Sequence, residues 1–287
     1  MTSGAVGTFG AGAPPVWVLG GGGVAGIAWE VGILTGLADE GVTVAPWSVV
    51  IGTSAGAVVG AQLLGGTPLP ELYERQRAGV PYETARGLGF AATLRLARAQ
   101  LFAHGPEAAA RRLGALALAA DTPSVASFRS IIEARLPRHD WPAGDLLVVA
   151  VDVESGRPLV ITRHDDIPLV DAVQASCAVP LSAAPVTIAG HRYMDGGMRS
   201  TLNLDLAPGA GPVVALAPST AAIGPWARIG TQLATLGPRR PVELLFRDAA
   251  SKRAQGRTVM DRAVVPALVA AAREQGRVEA ERVRAIL

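Results

Sequence analysis

The chain of 287 residues contains one cysteine, Cys177, and one lysine, Lys252. A single thiol excludes an intramolecular disulfide, and no cysteine-based metal site is expected. Arg carries nearly all the positive charge, which reads as codon bias before it reads as function. Aromatic residues make up only 5% of the chain, so its core must be packed from Ala, Val, Leu and Ile, as buried parallel strands commonly are. Acids and bases nearly cancel to a net charge of +2, without the basic excess that a nucleic-acid partner requires. No window offers eighteen apolar residues free of charge, so no membrane-spanning helix is expected. The first fourteen residues, MTSGAVGTFGAGAP, have no charged side chain and lack the basic start of a secretory signal. They read as a disordered leader (1–14) of a cytoplasmic protein.

Hydrophobic residues make up 49% of the chain, enough for one large domain or two small ones. Val16–Leu19 is a buried-strand candidate, and Ile27, Val31, Leu34 and Leu37 recur at helical spacing up to Asp39, with Gly41 as the stop. SVVIG (Ser48–Gly52) reads as a second strand and SAGAVVGAQLLGG (Ser54–Gly66) as a second helix. Strand, helix, strand, helix with short links predicts a parallel α/β layer structure. Residues 68 to about 136 are helical in pattern, with breaks at Pro81, Gly105–Pro106 and Pro123. Further strands are expected at Leu146–Val153, Pro158–Thr162 and Val213–Ala217, and helices at Leu169–Ala178, from about Pro241 and from about Val264. The expected organisation is a single α/β domain over 15–287 with a helical insertion at about 68–136.

Three motifs carry chemistry. Gly52-Thr53-Ser54-Ala55-Gly56 is a G-x-S-x-G pentapeptide between a strand and a helix, the setting of a nucleophile elbow. Gly52 and Gly56 would remove Cβ atoms that clash in so tight a turn, and Ser54 would be presented at a helix N-terminus that favours negative charge. The second motif, Gly21-Gly22-Gly23-Val24-Ala25-Gly26, follows a strand. As a dinucleotide fingerprint it needs an acid at the end of the next strand. Asp39 and Glu40 have about the right count but precede that strand, whose end carries Gly-Thr-Ser-Ala-Gly instead. The other functional reading is an oxyanion cradle of backbone N–H groups, and close packing of helix on strand remains a purely structural one. The third motif, Asp195-Gly196-Gly197, can aim a carboxylate at a site or form an ordinary hairpin turn.

A serine nucleophile needs a base. Of the four histidines, His104, His139 and His164 lie in polar, loop-like contexts. His191, with Asp152 or Asp171 as the acid, would complete a triad in the order Ser, acid, His, although Ser54 comes early for that arrangement. In the alternative dyad Asp195 takes the serine proton itself. Asp is ordinarily a weak base, so that dyad requires a site shielded from water.

The glycine-rich loop, the early G-x-S-x-G and the late Asp-Gly-Gly, in this order, resemble the patatin-like phospholipases, a family with bacterial lipid acyl hydrolases among its members. AVDVESG (Ala150–Gly156), ASCAVP (Ala175–Pro180) and the Asn of DGGMRSTLN (Asp195–Asn203) agree with that family. The resemblance covers roughly residues 16–218. It implies a three-layer α/β fold with a mostly parallel central sheet flanked by helices. It also implies a Ser54–Asp195 dyad and an oxyanion hole from Gly21, Gly22, Gly23 and Val24, with Gly52, Gly56, Gly196 and Gly197 in support. The implied reaction is hydrolysis of a lipid acyl ester through an acyl-serine, without metal or cofactor. Ala25 stands where the family usually has Arg or Lys, which favours a neutral ester or thioester over a phospholipid. The rival class is a non-catalytic α/β module that binds lipid or nucleotide.

Phe90, Leu94, Ala97 and Leu101 share a helical face, away from Arg95 and Arg98. Such stripes usually face a core; in a lipid hydrolase the alternative is peripheral contact with a membrane surface. The insertion that carries the stripe has the position of a lid over Ser54.

Overall fold

The structure, a computed structural model, describes residues 12–79, 88–101, 103–222, 224–256 and 259–287. Residues 1–11 of the expected leader and the break at Pro81 lie outside the described residues.

The first half begins with β1 (Val16–Leu19), α1 (Gly23–Asp39), β2 (Val49–Thr53) and α2 (Ala55–Leu64). The helices α3 (Leu69–Arg77), α4 (Phe90–Leu101), α5 (Pro106–Leu118) and α6 (Val125–Arg135) follow. The second half runs through β3 (Asp145–Asp152), β4 (Pro158–Ile161), α7 (Leu169–Ser176), β5 (Val186–Ile188) and β6 (His191–Asp195). It ends with β7 (Val213–Ala217), α8 (Ile229–Thr235), β8 (Val242–Phe246), α9 (Ala249–Gln255) and α10 (Val265–Arg284).

Among the described residues the sheet has eight strands in the order β5-β6-β3-β2-β1-β7-β8, with β4 paired to β3. Strands β3, β2, β1, β7 and β8 run parallel. Strands β4, β5 and β6 are antiparallel additions at the β3 side. The chain therefore has the three-layer α/β fold with a mixed, mostly parallel sheet and helices on its faces.

β1, β2 and β7 are buried along their whole length, as expected of parallel strands covered on both faces. α1 is buried from Val24 to Leu37 and packs against α10. It lacks a polar face because it is covered on nearly every side. It ends at Asp39, and Gly41 (φ 78°) supplies the left-handed residue after the cap.

One expectation fails. The helix expected from about Pro241 is first a strand, β8, paired in parallel with β7, and the helix begins only at Ala249. Val242–Phe246 (VELLF) is short and apolar except for Glu243, and so short a stretch does not distinguish strand from helix until a partner strand is in place. The hairpin β5–β6 has no counterpart among the expected elements. Its turn is Ala189-Gly190, both at positive φ, the geometry that lets a two-residue turn follow strand twist. Asp195-Gly196-Gly197 is thus not the hairpin turn; it leaves the end of β6 and enters a 3-10 turn at Gly196–Met198.

Candidate active site

Ser54 stands between the last residue of β2 and the first of α2, with φ 52° and ψ −108°. A non-glycine residue in that region is strained, and the surroundings must hold it there. A Cβ at Gly56 would lie 2.1 Å from the Leu19 carbonyl oxygen, and one at Gly52 would lie 2.6 Å from the Ala57 backbone. Both glycines are therefore required by close backbone approach. The Ser54 N–H donates to Ser176 Oγ at 2.9 Å, and that hydroxyl donates to the Val149 carbonyl at 2.6 Å. Ser176, fully buried at the end of α7, thus anchors the elbow to β3. The sequence contained it within ASCAVP, but nothing local gave it this role.

The sheet register brings Asp195 to the same place. On β3, Val149 pairs with Thr53 of β2, and the next residue, Ala150, pairs with Asp195 of β6. Adjacent rungs are about 3.3 Å apart, so two residues far apart in sequence end their strands side by side. The Ser54 hydroxyl lies near enough to the Asp195 carboxyl group to lower its pKa, and Gly197 N–H donates to Asp195 Oδ1 at 2.6 Å. Asp195 is 2% exposed. Burial pushes its pKa up from 3.8 to about 7, against the smaller opposing pull of the Gly197 and Ser54 hydrogen bonds. Desolvation disfavours the charged carboxylate, which is the cause of the rise.

Asn203 ties the two halves of the site together. It is fully buried with φ 53° and donates from Nδ2 to Thr53 Oγ1, the Gly196 carbonyl and the Ser200 carbonyl. Its Oδ1 accepts from Arg199, which also pairs with Asp205.

The glycine loop is divided in its use. Gly21 N–H donates to the Thr201 carbonyl at 2.7 Å, so that amide is spent inside the protein and is not open to a ligand. Among the described residues no acceptor takes the N–H of Gly22, Gly23, Val24 or Ala55. Of these residues, Gly23, Val24 and Ala55 line the same cavity as Ser54. Gly23 has φ 61°, and a Cβ there would lie 2.8 Å from Met260 Sδ. Ala55, absent from the expected cradle, is the residue after the serine, a common amide donor in nucleophile elbows.

That cavity has a volume of about 430 Å³, the size range of a small-ligand pocket. Ile27, Val58, Phe128, Val179 and Met260 give it an apolar wall, and Arg135 brings a cation to it. Leu88, Thr93, Phe128 and Arg135 belong to the segment between α2 and β3, so the expected insertion does border Ser54. Cys177 also borders it, with Sγ donating to the Ser54 carbonyl at 3.4 Å. Burial, with Asp195 nearby, pushes the thiol up to about 12, which keeps it neutral and a poor competitor for the serine.

The histidines stand elsewhere. His191 begins β6, four residues before Asp195, and its side chain is 68% exposed, with Nδ1 3.7 Å from Asp152 Oδ2. Asp152 Oδ1 is held by Ser155 N–H and Oγ, and Asp171 pairs with Arg129. His104, His139 and His164 are exposed, and no histidine lines the cavity among the described residues. The dinucleotide reading fares no better, because Asp39 is bound to Arg273 and Arg277. Ala25 is fully buried and donates its N–H to the Val259 carbonyl. No group of acids, histidines and cysteines suited to a metal occurs among the described residues.

A second buried acid offers a contrast. Glu30 on α1 is fully buried and its pKa is well above the ordinary value, chiefly through burial. The Gly20 amide and Arg247 pull the other way, yet neither carboxyl oxygen makes a hydrogen bond of ordinary geometry. Glu30 does not border the cavity. Desolvation alone therefore marks neither acid; the adjacent hydroxyl distinguishes Asp195.

The sequence matches the family model described as patatin-like phospholipase over residues 17–208. No curated protein matches the sequence. Among solved structures, VipD from Legionella pneumophila aligns with a TM-score of 0.49 at 13% identity, over 94% of this chain and 66% of that one. The type III effector protein ExoU aligns with a TM-score of 0.40 at 17% identity, over 94% of this chain and 53% of that one. The chain thus spans just under two thirds of VipD and about half of ExoU.

Proposed function

The chain belongs to the patatin-like phospholipase family, a family of lipid acyl hydrolases, and from that premise we propose that it cleaves a lipid acyl ester with Ser54 as nucleophile and Asp195 as base. The observation that carries this reading is a buried carboxyl group, with its pKa near 7, next to a strained serine at the edge of an apolar cavity. A base with that pKa is partly ionised at neutral pH and still strong enough to accept a proton.

In the first half-reaction Asp195 accepts the Ser54 proton while Oγ forms a bond to the acyl carbon. The carbonyl oxygen becomes an oxyanion and is met by amides of Gly23, Val24 and Ala55. One such donor is worth roughly 10²–10³ in rate. The ester C–O bond then breaks, and the leaving alkoxide takes the proton from Asp195. In the second half-reaction water gives a proton to Asp195 and its oxygen to the acyl carbon. The Ser54–acyl bond breaks and the proton returns to Oγ, releasing a fatty acid. The acyl chain occupies the apolar wall, and Arg135 offers positive charge to the polar end of the substrate. Ala25 provides no charge at the loop, so an ester or a thioester fits the chemistry equally.

A fluorophosphonate probe tests this reading. The expected result is covalent labelling at Ser54, lost in Ser54→Ala and in Asp195→Asn. A folded protein that resists labelling yet binds lipid or nucleotide would place the chain in the rival, non-catalytic class.

A further inference from the structure

The stripe on α4 does not face the core. Phe90 is 86% exposed, Leu94 46% and Leu101 67%, whereas Leu96, on the other side of the helix, is buried at 7%. At 100° per residue Phe90, Leu94, Ala97 and Leu101 fall within a narrow ridge. Leu96 lies on the opposite side, packed into a cluster with Ala110 and Leu113 of α5 and Val151 of β3. The helix is therefore seated by its weaker apolar face and turns its stronger one to solvent. Other exposed large side chains, such as Trp47 and Val278, are scattered over separate elements; only α4 gathers three on one ridge among the described residues.

Charge and position narrow what the ridge can meet. FAATLRLARAQL has no acidic residue, and its Arg95 and Arg98 are exposed with no carboxylate partner among the described residues. Arg98 flanks the ridge, where its aliphatic stem can lie along an apolar surface with the guanidinium at the polar boundary. Thr93 on α4 and Leu88 just before it line the cavity of Ser54, so the ridge adjoins the place where an acyl chain enters. A short helix with an apolar ridge and only basic charges has the make-up of an element that lies in the surface of an anionic bilayer.

We propose that this protein docks on anionic lipid bilayers through the Phe90–Leu94–Leu101 ridge of α4, with Arg95 and Arg98 against the lipid headgroups. The proposal rests on the lipid hydrolase reading for its purpose, but it is tested by binding alone. The Ser54→Ala protein, which consumes no lipid, is sedimented with vesicles of phosphatidylglycerol and phosphatidylcholine, and with vesicles of phosphatidylcholine only. Binding to the anionic vesicles is expected, weakened by salt. A triple variant, F90D/L94D/L101D, is expected to lose at least tenfold in affinity. R95Q/R98Q is expected to lose roughly tenfold on anionic vesicles and little on neutral ones. In the Ser54 background both sets of substitutions leave hydrolysis of a water-soluble short-chain ester within about twofold, which also shows that the fold is intact.

Undiminished vesicle binding by the triple variant, or none by the parent, overturns the proposal. So does a parent that is dimeric in sedimentation and becomes monomeric in the triple variant, since the ridge would then be covered by a second copy. Failure of fluorophosphonate labelling with vesicle binding retained would remove the hydrolase reading and leave the docking surface standing.

Discussion

Replacing Asp195 by Asn should make the protein more stable at alkaline pH while abolishing its activity. The carboxyl group titrates near 7 in the folded protein because it is buried, against 3.8 for the ordinary side chain. Its folded pKa is raised, so the folded state holds the proton more tightly than the unfolded chain does. The associated stability is present below about pH 4 and is lost as pH rises through about 7. The full span corresponds to roughly 4 kcal/mol, of which about 3 kcal/mol falls between pH 5 and pH 8. Asn cannot ionise, and its side-chain oxygen can still accept from Gly197 N–H. Urea denaturation of parent and D195N at pH 5 and pH 8 measures the difference directly. The variant should gain on the parent by about 3 kcal/mol over that interval, seen in thermal unfolding as several degrees. The same ionisation governs activity: kcat/KM should fall about tenfold per pH unit below 7 and level off above it. A profile that is flat between pH 5 and pH 8, together with a stability difference independent of pH, would refute the assignment of a water-shielded carboxylate as base.

Ser176→Ala removes the hydroxyl that accepts the Ser54 N–H; a loss of about 1–3 kcal/mol in stability is expected, with kcat reduced more than KM, as read by denaturation and ester kinetics. His191→Ala should leave fluorophosphonate labelling and turnover within about twofold, because the ring is exposed and one strand length from Asp195. A large loss would instead revive the triad. Gly56→Ala would set a Cβ against the Leu19 carbonyl oxygen, and soluble folded protein is expected to fall sharply in expression trials.

Much of the site could be read as contiguous stretches. The elbow from Gly52 to Gly56 requires a particular local geometry, and the same residues specify it wherever the turn is placed. The strand–helix alternation at Val16–Leu64 was legible for the same reason, as was β7. The β8 strand and the β5–β6 hairpin were not, because Val242–Phe246 and Val186–Ile188 are too short to declare their type without a pairing partner. The outward ridge of α4 was misjudged because periodicity reveals that a face is apolar and is silent about what lies opposite it. The spent amide of Gly21 depends on the Thr201 carbonyl, 180 positions away in sequence.

The sequence by itself determined the pieces: a strained serine turn, a glycine-rich loop and a carboxylate before two glycines, each dictated by local backbone sterics. Tertiary structure alone decided their union. Pairing on neighbouring rungs of β3 brought residue 195 beside residue 54, and burial there raised the carboxyl pKa. Register and desolvation are properties of distant segments in contact, so no local stretch of the chain encodes them.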